Sequence, residues 1–255
     1  MRAVARLLCL LLLALGPTAC VTTTKGGFSA DREKEVSQRV DAATQYLAKG
    51  NTEQAIVHLR RALELDPKAA PVHETLARVF VQTGEYELAE QHFRRAIQAE
   101  PTYTRARNNY AAFLYQRGDL DGAIRELELV TADTLYEKRA DAFSNLGRAY
   151  ARRGELDKAS EMLGRALRMD RRQAPAMLEL ADIHFKRDQF PQAQQAYGMF
   201  RQAGLKPTPR SLLLGIRIAR ATGDRDAEAS YALQLKGLFP QSEEYRAYQA
   251  MPNPR

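Results

Sequence analysis

Small and bulky apolar positions recur along this chain with a period of 34. Ala55, Ala89, Ala123, Ala159, Ala193 and Ala227 are spaced 34, 34, 36, 34 and 34 residues apart. A second small column runs Ala43, Ala77, Ala111, Gly147, Ala181 and Gly215 with the same spacings. Two bulky columns follow it: Tyr46, Phe80, Leu114, Tyr150, His184 and Ile218, then Leu59, Phe93, Leu127, Leu163, Tyr197 and Tyr231. Between them Gly50, Gly84, Gly118 and Gly154 mark a turn, followed by Asp188 and the pair Thr222-Gly223. Several columns sharing one spacing pattern define an internal repeat. The pattern predicts two helices per repeat, with a Gly-bearing turn between them. Small residues let the two backbones cross closely, and bulky ones fill the space between helices and repeats. Replacing Ala89 or Gly147 with Leu is expected to overpack that crossing.

No such repeat buries its apolar face alone, so the units must stack. The predicted architecture is all-α: a solenoid of six helix-turn-helix repeats over residues 35–240. These columns resemble the tetratricopeptide repeat, most closely in the first four copies. The fifth lacks the turn Gly and carries His184 and Phe200 in unusual slots. Residues 133–137 insert two positions at one joint, and 203–209 form a Pro-rich connection. Beyond Pro240, residues 242–250 read as a terminal capping helix within a 241–255 tail. Ser242 is a good N-cap there, and Glu243 and Glu244 suit the positive end of the helix dipole.

The first twenty residues obey a different pattern. Arg2 and Arg6 precede an apolar run of Leu and Ala from Leu7 to Leu15, broken only by Cys9. That run is shorter than the roughly 20 residues a spanning helix needs. It matches the core of a secretory signal peptide. Gly16, Pro17, Thr18 and Ala19 follow, then Cys20. A Cys after a small residue at this place resembles a bacterial lipoprotein signal, in which 1–19 is cleaved and Cys20 is lipidated. The usual pattern has Leu where this chain has Pro17. The other reading is an ordinary secretory signal with an incidental Cys. The Val21-Thr22-Thr23-Thr24-Lys25-Gly26-Gly27 stretch favours lipidation, because it reads as a tether, assigned to 20–34. Several acyl chains at about 0.8 kcal/mol per buried CH₂ would anchor the protein firmly. In the lipoproteins this resembles, Asp after the Cys retains the protein at the inner membrane. Val21 therefore implies the periplasmic face of the outer membrane.

Charge narrows the partner. The chain carries 38 Lys and Arg against 31 Asp and Glu, a net of +7. Loss of Arg2 and Arg6 leaves +5. Basic residues alternate with acidic ones, as in Arg60-Arg61-Ala62-Leu63-Glu64. The densest clusters, Arg152-Arg153 and Arg168 to Arg172, lie near Asp157 and Asp170. Nucleic acid is not the expected partner. Two Cys cannot build a disulfide scaffold, and only Cys20 survives cleavage.

The sequence carries no motif that points to catalysis. His58, His73, His92 and His184 show no metal-ligand spacing and read as packing residues. The glycines are singletons in turns, without a phosphate loop or a nucleophile elbow. The expectation is a non-enzyme with no cofactor, no metal and no small-molecule substrate. A repeat array of this kind binds a peptide or protein surface along its concave face. The groove-facing slots of first helices hold Val40, Thr44 and Leu47, then Glu74, Arg78 and Val81. Next come Arg105, Asn108, Ala112 and Tyr115, then Ser144, Arg148 and Ala151. Val40, Leu47 and Val81 make one end apolar, and Arg78, Asn109 and Asn145 form a polar rim able to hydrogen-bond an extended backbone. The competing reading packs Val40 and Leu47 beneath residues 31–35.

Several segments exceed what a generic repeat requires. They include Gly50-Asn51-Thr52-Glu53-Gln54-Ala55, Asn108-Asn109-Tyr110 with Phe113-Leu114-Tyr115, and Asp133-Thr134-Leu135-Tyr136. Further on stand Arg210-Ser211-Leu212-Leu213-Leu214-Gly215-Ile216, and Tyr231-Ala232-Leu233-Gln234-Leu235-Lys236 leading to Phe239-Pro240. With the lipidation Cys, these resemble the type IV pilus biogenesis and stability lipoproteins, the pilotin family. The resemblance spans nearly the whole chain. It implies an outer-membrane lipoprotein that helps a secretin subunit reach its membrane and form its multimer. Two other functions stay open on the residues alone. One is a scaffold for another envelope assembly, such as outer-membrane barrel insertion or cell-wall enzymes. The other is an accessory subunit of an enzyme such as a glycosyltransferase.

Overall fold

The computed structural model describes residues 25–252, which hold thirteen α-helices and no strand. They pair in chain order. The first repeat is α1 (Lys25–Ala48) with α2 (Thr52–Leu65), and the second is α3 (Ala70–Thr83) with α4 (Tyr86–Ala99). The third is α5 (Thr104–Arg117) with α6 (Leu120–Ala132), and the fourth is α7 (Arg139–Arg153) with α8 (Leu156–Met169). The fifth is α9 (Ala174–Lys186) with α10 (Phe190–Gln202), and the sixth is α11 (Pro209–Thr222) with α12 (Arg225–Leu238). A short α13 (Glu243–Gln249) follows. The signal segment 1–19, the lipidation residue Cys20 and the last three residues lie outside the described residues.

The predicted columns are the core. Ala43, Ala55, Ala77, Ala89, Ala111, Ala123, Ala159, Ala181 and Ala193 are all fully buried. Gly147 continues the column where α7 crosses α8, and a Cβ there would lie 2.6 Å from Leu163 Cγ. Gly84, Gly118, Gly154 and Gly223 end first helices in the left-handed region, at φ of 83°, 87°, 90° and 76°. That conformation costs a side-chain-bearing residue energy and costs Gly little. Side-chain caps start several second helices: Asn51 accepts from the Gln54 N–H, Asp119 from that of Gly122 and Asp224 from that of Ala227.

Two joints depart from the regular pattern, as their sequences predict. In the 133–138 joint Asp133 accepts from the Leu135 N–H at 3.0 Å and from Thr104 Oγ1 at 2.5 Å. Ahead of α11 Thr208 and Ser211 form a reciprocal capping box. At the far end Ser242 accepts from the Tyr245 N–H, and Tyr245 and Tyr248 pack on Leu212, Ile216 and Leu235.

The N-terminal boundary is different from the expectation. Residues 25–34 were expected in the tether but form the start of α1, so the assigned edge at 34 falls inside one helix. Nothing between Ser29 and Lys49 breaks a helix, and Glu35 and Arg39 support it as an i,i+4 ion pair at 2.8 Å. No helix among the described residues is long and apolar enough to cross a membrane.

Candidate functional site: the inner face of the repeat array

First helices touch one another in succession: α1 with α3, α3 with α5, and so on to α11. Second helices do not touch their counterparts. The array therefore curves with the first helices inside, which places the predicted groove slots on its concave face.

Two hollows lie at the N-terminal end. Leu47, Arg78, Val81, Asn109 and Ala112 line one of about 360 Å³, floored by Phe93 and Phe113. Val40 lines the other, about 990 Å³, with Arg32, Val36, Pro67, Ala70 and Arg105. The structure thus brings Leu47, Arg78, Val81 and Asn109 together and separates Val40 from them. Asn108, Tyr115, Asn145 and Arg148 lie further along the face, on α5 and α7, and line neither hollow. Val40 and Leu47 are not covered by residues 31–35, because those residues belong to the same helix. Both side chains pack instead in one cluster with Leu59, Val72 and Leu76.

The polar rim is already engaged. Glu74 is 0% exposed. It accepts from Asn109 Nδ2 at 2.5 Å, and Arg105 and Arg78 stand 3.4 and 3.8 Å from its oxygens. A buried carboxylate needs such partners. Arg78 and Asn109 therefore act first on Glu74, and the free backbone donors expected of them are partly spent on it. Sequence reasoning placed Glu74 in the groove but gave it no role. Its one signal is Arg78, one helical turn further on.

The histidines occupy structural positions. His58 stacks on Tyr46, and His184 Nδ1 lies 2.7 Å from Gln189 Oε1. The structure joins two residues that the spacing kept apart: His73 Nδ1 and His92 Nδ1 are 3.0 Å apart. His73 Nε2 lies 3.0 Å from the Pro67 carbonyl oxygen. The contact suits two neutral rings, with His73 donating to Pro67 and His92 donating to His73. Burial pushes both pKa values down, that of His92 to about 4, with His73 and Arg95 adding to the effect. Among the described residues no group of three His, Cys, Asp or Glu is placed to hold a metal.

A stacked array of helix pairs with a curved inner face is a tetratricopeptide-repeat scaffold. Models of that repeat match residues 46–92, 81–135 and 139–174. The type IV pilus assembly protein PilF of Pseudomonas aeruginosa is 40% identical over 244 residues, covering 94% of this chain and 96% of its own. Its structure superposes with a TM-score of 0.81 over 86% of this chain and 99% of that one. The crystal structure of PilW, a type IV pilus biogenesis factor, superposes at 0.76 with 26% identity, over 84% and 98% of the two chains. The chain belongs to the PilF/PilW family of type IV pilus biogenesis proteins.

Proposed function

We propose that this chain is a lipid-anchored adaptor on the periplasmic face of the outer membrane, which binds a secretin subunit and promotes its localisation and multimerisation. The observation that carries the reading is the convergence of Leu47, Arg78, Val81 and Asn109 in one hollow of the inner face. Apolar floor and charged edge together suit an extended protein segment, whose side chains fill the hollow while its backbone meets the rim. Membership of a pilus-assembly family supplies the setting. The anchor rests on Cys20 and the signal that precedes it in the sequence.

Capture of secretin from solubilised envelopes by the purified chain tests the reading. Val81→Asp is the informative variant, since Val81 is only partly buried. Leu47→Asp also loosens the first repeat, because Leu47 is 7% exposed within its core. The Val81 variant is expected to keep its helicity and melting temperature and to lose secretin. In cells it should leave secretin monomers in place of SDS-resistant multimers, and Cys20→Ser should incorporate no labelled palmitate. Normal multimers in a strain lacking the gene, or capture of a different envelope assembly, would refute it.

A further inference from the structure

Further along the inner face, α5 and α7 lie side by side. Ser144, Arg148 and Arg152 follow one another at four-residue steps, so they share a stripe of α7. Facing them, α5 presents Asn108 and Tyr115. The Arg148 and Arg152 guanidinium carbons sit 5.4 and 5.1 Å from the centre of the Tyr115 ring, and Arg152 Nη1 donates to the Tyr115 carbonyl at 3.1 Å.

Two features single out this place. The first is charge. Arg78 and Arg105 share Glu74, and Arg210 meets Glu179 and Asp182. Among the described residues Arg148 and Arg152 meet no carboxylate within ion-pair distance. The second is a pair of unpartnered polar atoms. Asn108 Oδ1 and Ser144 Oγ are buried and make no hydrogen bond, and Ser144 is only 2% exposed. They occupy the same slot one repeat apart. A buried polar atom left without a partner destabilises the protein that carries it. Two such atoms in matching slots, Ser144 one helical turn from Arg148, leave hydrogen-bonding capacity unspent beside a cation that meets no carboxylate.

We infer that Asn108, Ser144, Arg148 and Arg152 form an acceptor site for an acidic, extended segment of the partner protein. An Asp or Glu carboxylate accepts from the Arg148 guanidinium and the Ser144 hydroxyl, and a backbone N–H of the same segment donates to Asn108 Oδ1. A peptide offers both complements at once, a side-chain carboxylate to the cation and a backbone N–H to the acceptor oxygen. The site rests on the reading that the inner face takes an extended partner segment. It is one repeat removed from the hollow lined by Val81 and Leu47.

The test is fluorescence anisotropy with the purified chain and a labelled octapeptide of alternating Asp and Gly, beside its Asn-for-Asp counterpart. The acidic peptide is expected to bind about tenfold or more tightly than the amide peptide. Arg148→Gln should abolish that preference, and Arg148→Lys should restore part of it. Ser144→Ala should weaken binding several-fold while its melting temperature holds or rises, because no hydrogen bond is lost from the free protein. A purely structural Ser144 would not show that combination. Val81→Asp should leave peptide binding intact even where it abolishes secretin capture, so the two readings fail separately. Equal binding of both peptides, indifference to Arg148→Gln, or Arg148-dependent binding of phosphatidylglycerol vesicles in place of the peptide would overturn the assignment.

Discussion

Gly147 shows how closely two helices approach in this array. A Cβ on it would meet Leu163 at 2.6 Å and the Ala159 carbonyl oxygen at 3.1 Å. Even Gly147→Ala is therefore expected to cost about 1–3 kcal/mol, read as a lower urea midpoint with unchanged slope. The small-residue column was legible in the sequence, but the tolerance at each slot was not. Gly215, in the same column, is as tight: a Cβ there would run into the Tyr197 hydroxyl. The His73–His92 pair makes a different prediction. Both rings ionise less readily in the folded chain than in the unfolded one. Their contribution is complete above the unfolded value of about 6.5 and is lost as pH falls towards about 4. Stability measured by denaturant titration should fall across that window. His92→Leu should flatten the profile there. A profile equally steep in the variant would show that other groups carry it.

Helix termination shows what one position contributes to an element. Five of the six helix pairs turn on a left-handed Gly, but the fifth pair turns on Asp188, which takes a φ of 56°. The sequence already placed Asp188 in the turn column, and the structure shows it adopting the Gly conformation. Asp188 is exposed, so Asp188→Gly should relieve backbone strain and raise stability by about 0.5–1 kcal/mol, seen as a higher melting temperature. Ties between elements repeat as well. Arg153 reaches Asp121 of the preceding repeat at 2.6 Å, and Arg187 reaches Asp157 at 2.6 Å. Arg117 lies over the Tyr86 ring at 4.5 Å in the same relation. These ties span about thirty residues, so no local pattern reveals them. The Gly-rich residues beside Cys20 suggest a tether, but the helix already starts at Lys25 and runs on to Ala48.

Stacking makes the molecule a chain of neighbour contacts, and its ends are its weak points. The C-terminal end is closed by α13, whose Tyr245 and Tyr248 cover Leu212, Ile216 and Leu235. Arg220 adds a hydrogen bond from Nη1 to the Pro252 carbonyl at 3.0 Å. Deleting residues 241–255 should uncover that apolar surface. The expected result is loss of hydrogen-exchange protection in α11 and α12 before any loss in the first four repeats. Uniform loss along the chain would show a single cooperative unit in its place.

Spacing alone determined that six helix pairs stack, where the crossings and turns lie, and which residues fill the core. Those properties are local or strictly periodic, and a period is visible in one dimension. The inner face was legible only as a set of slots. Tertiary structure decided that Leu47, Val81, Arg78 and Asn109 share a hollow, that Val40 lies apart, and that Glu74 holds two of the rim residues. Among the described residues it also leaves Arg148 outside ion-pair distance of any carboxylate and Ser144 Oγ without a hydrogen-bond partner. The reason is geometric. Which groups meet across neighbouring repeats depends on the curvature of the stack, and curvature arises from the packing of whole helices rather than from any one segment.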